Sequence, residues 1–214
     1  MPRYAITADI HGQTSKLEAV IADAKRRQVG QFLDLGDVGG DSCHALLQKV
    51  QAISTFGNYE VSQWGTLSPE NQARVRSWPP ILLEETFLAA HAAPYFPEPL
   101  PNVDAVWNYM IEHGVTWRQL FPRLDSDRHA RWLTYAEMAE QRRRLYFHGH
   151  THVQASWRIG PSGAMTEIKA AKVHLDRRAF YIVGVGSVGR PQDGQHSRYA
   201  IYDQEEQTVQ MCAV

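Results

Sequence analysis

Phe147-His148-Gly149-His150-Thr151-His152 packs three of the chain's ten histidines into six residues. Near the start, Asp9-Ile10-His11 sets a carboxylate and an imidazole two positions apart. Between these come Gly36-Asp37, Gly57-Asn58 and a lone His91. Each of these signals is weak by itself. Asp-x-His recurs by chance, Gly-Asp is an ordinary turn, and a single histidine is most often a hydrogen-bonded structural residue. As an ordered set they carry more weight. Three or four imidazoles, two carboxylates and one amide oxygen exceed what one cation needs. They suit two first-row metal ions, because one carboxylate can bridge a pair, and imidazole favours Mn, Fe, Zn or Ni over Ca. Two cations about 3.5–4 Å apart activate water and clamp a phosphoryl oxygen during in-line displacement.

These residues need elements that bring them to one place. Tyr4 to Ala8 reads as a short buried strand ending at Asp9. A helix should follow, with Ser15-Lys16-Leu17-Glu18 as a capping box and Leu17, Val20, Ile21 and Ala24 on one face. Gln31 to Leu35 is a second strand, ending at Gly36-Asp37. A helix through Ala45, Leu46, Leu47 and Val50 leads to a strand over Ala52 to Phe56, closed by a Gly-Asn turn. Strand and helix in alternation predict parallel pairing in an α/β fold. Ser68-Pro69-Glu70 opens another helix, which Pro79-Pro80 stops. Ile81–Leu83 and Thr86–Ala90 are strand-like, the second ending at His91. Four prolines between Pro94 and Pro101 make a rigid connection, and residues 102 to 141 read mainly as helices. The expectation is one domain over residues 1–214, with a mostly helical insertion at about 94–141 that is too small to hold a core alone. Leu145-Tyr146-Phe147 leads into the histidine cluster, and short antiparallel strands are expected from Val153 to Cys212. All the metal-type ligands thus fall just past strand ends, where open α/β sheets place their sites.

In this order, Asp9-x-His11, Gly36-Asp37, Gly57-Asn58, His91 and Gly149-His150-Thr151-His152 resemble the calcineurin-like metallophosphoesterases. The resemblance spans nearly the whole chain. Gly186-Ser187-Val188-Gly189-Arg190-Pro191 is similar to the Gly-Ser-Val-Gly turn of the small phosphodiesterase-like and diadenosine-tetraphosphatase-like members. The resemblance implies a four-layer α/β/β/α sandwich of two mixed β-sheets with a dinuclear metal site at one sheet edge. By motif position, Asp9, His11, Asp37 and His152 would hold the first ion. Asp37, Asn58, His91 and His150 would hold the second, with Asp37 bridging. A metal-bridging hydroxide would attack phosphorus directly. Asn58 and His91 would position the second ion, and Asn58 would also sit close to the phosphoryl group. Manganese is the first expectation for both ions, with iron, zinc or nickel as alternatives.

The sequence departs from that pattern at three places. The family's Gly-Asn-His is Gly57-Asn58-Tyr59, so the histidine that assists the leaving group is replaced by Tyr59. A tyrosine, with an unperturbed pKa of about 10, is the weaker acid. That tilts the expected substrate towards phosphodiesters, with Tyr59 as a candidate catalytic residue. His91 is followed by Ala92 where glycine is usual, and Gly184-Val185 stands where Asn-Pro often precedes Gly-Ser-Val.

Other residues have plainer readings. His148 is expected to be structural, Asp34 a polar strand residue, and Glu60 a turn residue. Arg142-Arg143-Arg144 reads as solvated surface, since formal net charge is −1 and gives no general pull on nucleic acid or an anionic membrane. Trp107, Tyr109, Trp117, Trp132 and Tyr135 are expected to fill the insertion's core. Arg190, in the loop beside the active edge, is a candidate substrate-binding residue. Two cysteines, Cys43 and Cys212, make no disulfide framework and fit a reducing compartment. No signal segment or membrane-length apolar run is visible, so a cytoplasmic protein is expected. The expected partner is a small phosphorylated substrate, with nucleotides among the candidates. Nothing in the sequence sets an oligomeric state. Rival readings are a phosphomonoesterase or protein phosphatase, a dinucleoside polyphosphate hydrolase, and a non-catalytic metal-binding scaffold. The last has no reason to retain a complete ligand set.

Overall fold

The structure, a computed structural model, describes residues 2–214. Two six-stranded sheets face one another. The first contains β1 (Arg3–Thr7), β2 (Gln31–Asp34), β3 (Ile53–Ser54), β9 (Lys172–His174), β11 (Arg198–Asp203) and β12 (Thr208–Ala213), in the order β3-β2-β1-β11-β12-β9. The second contains β4 (Ile81–Leu83), β5 (Leu88–Ala90), β6 (Leu145–His148), β7 (Gln154–Ile159), β8 (Met165–Ile168) and β10 (Phe180–Val185), in the order β4-β5-β6-β10-β7-β8. Both sheets are mixed. β1, β2 and β3 run parallel in one, and β5, β6 and β10 in the other.

Side-chain alternation along the strands makes the layers. On β1, Tyr4 and Ile6 enter the core between the sheets, while Ala5 faces the helix side. On β6, Leu145 and Phe147 point between the sheets and Tyr146 points outward. On β10, Tyr181, Val183 and Val185 point inward and Ile182 outward. These strands are apolar at nearly every position because both faces are covered. The outer core of the first sheet is closed by α1 (Thr14–Arg26) and α2 (Asp41–Lys49) through Leu17, Val20, Ala24 and Leu47. The outer core of the second is closed by α7 (Arg128–Glu140) through Ala130 and Met138. Three stacked cores between four layers give the expected α/β/β/α sandwich.

Several local expectations change. α1 begins at Thr14, and Gln13 precedes it without a side-chain cap. Ser15 therefore lies inside the first turn and makes no capping box. The tight turn from Ile10 to Thr14 does the capping instead, with Gln13 N–H on the Ile10 carbonyl at 3.1 Å and Thr14 N–H on the Gly12 carbonyl at 3.0 Å. The Gly-Asn pair is not a simple turn, because α3 (Asn58–Gln63) starts at Asn58 itself. α4 (Pro69–Ser77) begins as expected, with the Ser68 side chain accepting from Asn71 N–H. The late strands are not one antiparallel run. They are dealt between the two sheets, and β10 pairs parallel with β6.

Residues 94–141 hold α5 (Val103–His113), α6 (Trp117–Leu120) and α7. Val103 and Val106 share a core with Val61 and Leu67, and Leu124 and Ala130 pack onto the second sheet. Their apolar faces therefore complete cores whose other walls lie outside the stretch. Trp107 is 40% exposed and fills no core, contrary to expectation. Among the described residues, no helix is long and apolar enough to cross a membrane.

Phe147 is fully buried between the sheets, edge-on to Phe87 at 5.5 Å. Phe147→Ala should lower folding stability by about 3–5 kcal/mol, read as a shift in the urea midpoint at constant slope.

Candidate metal centre

The carboxyl ends of β1, β2, β3, β5 and β6 converge at one edge, and each delivers part of a polar cluster. Five of its residues, Asp9, His11, Asp37, His150 and His152, have left-handed backbones with φ between 49° and 63°. Non-glycine residues seldom adopt this conformation, and strain of this kind concentrates where function requires it. The loops that impose it are bonded to one another. His11 N–H donates to the Asp37 carbonyl at 2.9 Å, and Gly149 N–H donates to the His91 carbonyl at 2.9 Å. The Ser187 hydroxyl and Gly189 N–H both donate to the Asp9 carbonyl. Glu60 is the deepest tie. Its buried carboxylate accepts from the backbone N–H groups of Asp37 and Val38 at 2.8 Å and of Gly57 at 2.7 Å. It fastens two loops together and does more than the local turn role expected of it.

Two of the three glycines that precede ligand-type residues are needed for close approach to the ligand atoms themselves. A Cβ at Gly57 would collide with Asp37 Oδ1 and lie 2.7 Å from His91 Nδ1. One at Gly149 would collide with Ala8 and lie 2.9 Å from Asp9 Oδ2. The departures elsewhere are absorbed by packing. Ala92 is buried with its carbonyl accepting from the Tyr146 hydroxyl, and Val185 joins the core between the sheets.

All seven ligand-type residues meet here. His152 Nε2 lies 3.3 Å from Asp9 Oδ1 and 3.1 Å from His11 Nε2. Asp37 straddles the cluster, with Oδ2 3.8 Å from His11 Nε2 and Oδ1 3.5 Å from His91 Nε2. Asn58 Oδ1 lies 3.1 Å from His91 Nε2, and the His150 ring stands 5.1 Å from that of His91. Asp9, His11 and His152 form one group of converging ligand atoms, and Asp9, Asp37 and His91 a second.

The donor set fits cations. The Nδ1–H of His91 donates to the Leu35 carbonyl at 2.8 Å, and that of His152 to the Arg190 carbonyl at 2.7 Å. A carbonyl can only accept, so both rings turn Nε2 into the cluster, the tautomer control usual for metal-binding histidines. Asp9 Oδ1 is fully buried and faces the His152 imidazole, 3.3 Å away, with no hydrogen bond of good geometry to it. A buried carboxylate oxygen facing imidazole nitrogens is costly without a cation.

Protonation follows the same logic. Burial pushes His11 down to about 4 and His150 to about 3, and it lowers His91 as well. These rings are neutral ligands near pH 7. Burial also acts to lower His152, but its contact with Asp9 outweighs that and raises it. Burial and the nearby Glu60 and Asp9 carboxylates raise Asp37 well above the usual carboxylate range. For Asp9, burial opposes ionisation, yet His152 and His91 hold its pKa below the ordinary value.

A cavity of about 450 Å³ opens onto the cluster. Its floor includes His11, Asp37, Asn58, His150 and His152. Its wall comes from the helical stretch: Trp117, Arg118, Phe121 and Arg123. Sequence reading missed both arginines and Phe121; it assigned Trp117 to a core, against which that ring packs while also lining the cavity. The signal available was the mixed aromatic and basic run Trp117-Arg118-Gln119-Leu120-Phe121-Pro122-Arg123. Arg123 is held by Asp125 at 2.8 Å and the Thr151 carbonyl at 3.0 Å. The Arg118 guanidinium lies over the Trp117 ring at 5.3 Å. Arg190 is exposed, its carbonyl accepts from the His152 ring, and its side-chain charge lies close enough to His11 to act on that ring's pKa. The Tyr59 ring stands edge-on to His11 at 5.7 Å, and its N–H donates to Asp37 Oδ1 at 2.7 Å. His148 stacks on Tyr146 and Trp157 in the outer layer, and Asp34 accepts from Thr7 and Gly36.

Residues 3–207 match the calcineurin-like phosphoesterase superfamily domain, and the chain belongs to that family. It is accordingly a phosphate ester hydrolase with a metal-binding type of site. It is 24% identical to an uncharacterized protein of Methanocaldococcus jannaschii, over 98% of this chain and 86% of that one. A metallophosphoesterase crystal structure from Sphaerobacter thermophilus superposes with a TM-score of 0.75 at 23% identity, covering 99% of this chain and 88% of that one. An archaeal phosphodiesterase structure gives a TM-score of 0.53 at 12% identity, covering 99% of both chains. At these identities the two structures establish a shared fold.

Metal ligation requires unprotonated Asp37 and His152, both of which have raised pKa values in the metal-free protein. Binding of Mn²⁺ should therefore release protons, and affinity should rise with pH and fall on acidification. Calorimetric titration in buffers of differing ionisation enthalpy measures the release. Proton-neutral binding at pH 6 would contradict this protonation pattern.

Proposed function

We propose that this chain is a dinuclear metal-dependent phosphoesterase that favours phosphodiesters. The observation that carries this reading is the cluster itself: the buried Asp9 Oδ1 facing imidazole nitrogens, the inward Nε2 atoms of His91 and His152, and Asp37 between them. Asp9, His11, Asp37 and His152 would hold one divalent ion, and Asp37, Asn58, His91 and His150 the other. Bound ions of this kind supply Lewis acidity and an activated water that attacks phosphorus.

The chain's own residues position the substrate. Arg118 and Arg123 line the same cavity and offer guanidinium donors to phosphoryl oxygens. Arg123 is pre-set by its carboxylate and carbonyl partners, so it loses little freedom on binding. Asn58 lines the cavity beside His91 and can direct its amide N–H groups at the phosphoryl group. Trp117 and Phe121 give the wall an apolar surface that suits the second substituent of a diester. A monoester has no such group.

Tyr59 supports the same preference. It stands beside His11 in place of a histidine that would donate a proton to a departing alkoxide. A monoester with a poor leaving group needs that proton more than a diester with an aryl or ribose leaving group.

Metal analysis and activity test the reading separately. Protein resupplied with Mn²⁺ should bind two ions and hydrolyse bis-p-nitrophenyl phosphate faster than p-nitrophenyl phosphate. Asp37→Asn should lower metal content and activity together, because it removes negative charge from between two cations. Absence of bound metal in the wild type would sink the dinuclear reading.

Tyr59→His, compared at equal metal occupancy, should raise monoesterase relative to diesterase activity. An unchanged ratio would show that Tyr59 does not set substrate class.

A further inference from the structure

At the end of the sandwich opposite the metal centre, a second cavity of about 330 Å³ opens between the two sheets. β6 runs from one site to the other: Leu145, at its start, lines this cavity, and His148, at its end, leads into the histidine cluster. Leu145, Tyr181 and Tyr202 form the apolar part of the lining. Arg142, Arg143, Arg144 and Arg177 surround it. The first three are consecutive and sit in the turn that ends α7. Arg142 N–H donates to the Ala139 carbonyl at 3.1 Å and Arg143 N–H to the Met138 carbonyl at 2.8 Å. This is the bond pattern of a Schellman close, with Arg142 at φ 54° where glycine is usual. The fourth, Arg177, comes from the turn between β9 and β10.

These four guanidinium groups are unlike most others in the chain. Nine arginines elsewhere reach a carboxylate within salt-bridge distance: Arg3, Arg26, Arg27, Arg74, Arg76, Arg123, Arg158, Arg178 and Arg198. Among the described residues, none of the four around this cavity does. Arg143 donates only to the Glu84 and Gln141 carbonyls, at 2.6 and 3.2 Å, which leaves its charge uncompensated but its position fixed. Arg144 lies over the Phe180 ring at 5.1 Å. Two carboxylates, Glu85 and Asp176, also line the cavity. Asp176 is already taken by Arg158 at 3.2 Å and Arg178 at 3.4 Å. Glu85 offsets one of the four, and the lining keeps an excess of positive charge in a chain whose formal net charge is −1.

Four cations at one concavity repel one another unless an anion joins them. A single orthophosphate would leave most of that charge uncompensated, whereas a chain of phosphoryl groups matches it and can take forked bonds from several guanidinium groups. We propose that this cavity is a binding site, separate from the metal centre, for an oligophosphate anion, either free or as part of a nucleoside polyphosphate. Arg142, Arg143 and Arg177 hold the phosphoryl groups, and Arg144, whose guanidinium lies over Phe180 on the outer face of β10, adds charge at the rim.

Calorimetric titration with tripolyphosphate, ATP and orthophosphate, without added divalent ions, tests this. Tripolyphosphate should bind at one site, at least tenfold more tightly than orthophosphate, and more weakly as salt is raised. The double variant Arg142→Gln with Arg177→Gln should lose at least tenfold in affinity for tripolyphosphate and keep the wild-type thermal midpoint. Asp37→Asn, which disables the metal centre, should bind tripolyphosphate as the wild type does. ATP binding more tightly than tripolyphosphate would mean that the nucleoside adds contacts; equal affinity would assign recognition to the phosphates alone, and both support the site. The proposal is overturned if tripolyphosphate does not bind, if the double variant binds it unchanged, or if Asp37→Asn abolishes binding. None of these outcomes depends on whether the metal centre is dinuclear or prefers diesters.

Discussion

The constraint on which the active edge depends is the burial of negative charge. Asp9, Asp34, Asp37 and Glu60 are each no more than 2% exposed. No lysine or arginine side chain pairs with any of them among the described residues. A carboxylate taken out of water needs donors, a proton or a cation. Each of the four is satisfied differently. Glu60 has three backbone N–H donors. Asp34 has the Thr7 hydroxyl and Gly36 N–H, and burial still raises its pKa well above the ordinary value. Asp9 and Asp37 each accept one backbone N–H, from His150 and Tyr59, and otherwise face imidazoles, most of which burial keeps neutral. Those two carry the unbalanced charge, and divalent cations would balance it. The strained backbones and closely packed glycines keep the oxygens and nitrogens in register for that purpose.

Much of this was legible in the sequence because the residues concerned are fixed by chemistry and by strand position together. A ligand must be an imidazole, a carboxylate or an amide, and it must follow a strand. Asp9, Asp37, Asn58, His91 and His150 all satisfy both conditions. The four layers were expected from the family resemblance, and the strand sequences agree with them. Strands buried on both faces read as continuous apolar runs, as in Tyr181-Ile182-Val183 and Leu145-Tyr146-Phe147.

What the sequence did not reveal depends on contacts between distant segments. Glu60 looks like a turn residue until the loop carrying Asp37 is folded over it, twenty-three positions away in sequence. Arg190 reads as a phosphate ligand from its loop alone, and nothing in the sequence shows that its carbonyl also turns inward to fix the His152 ring. Trp117 and Trp107 are indistinguishable by type. One lines the cavity and the other is exposed, because α6 ends against His150 whereas α5 presents Trp107 on its outer side. The capping box at Ser15 failed because backbone turns had already satisfied the helix start.

The two ends of the sandwich also show why net charge is a poor guide to what a protein attracts. A formal charge of −1 argued against any general affinity for anions. Yet that total sums over an edge rich in buried carboxylates and an opposite end ringed by guanidinium groups. Electrostatic attraction between exposed charges decays over roughly 8–10 Å at ordinary ionic strength. A strand of four or five residues, at about 3.3 Å each, already exceeds that distance. A ligand approaching either end is therefore governed by the charges there and hardly by those at the other. In a sandwich with parallel strands at its centre, the chain enters the strands at one end and leaves them at the other, so loops at the two ends are free to carry opposite charge. Composition averages that difference away, and only the topology restores it.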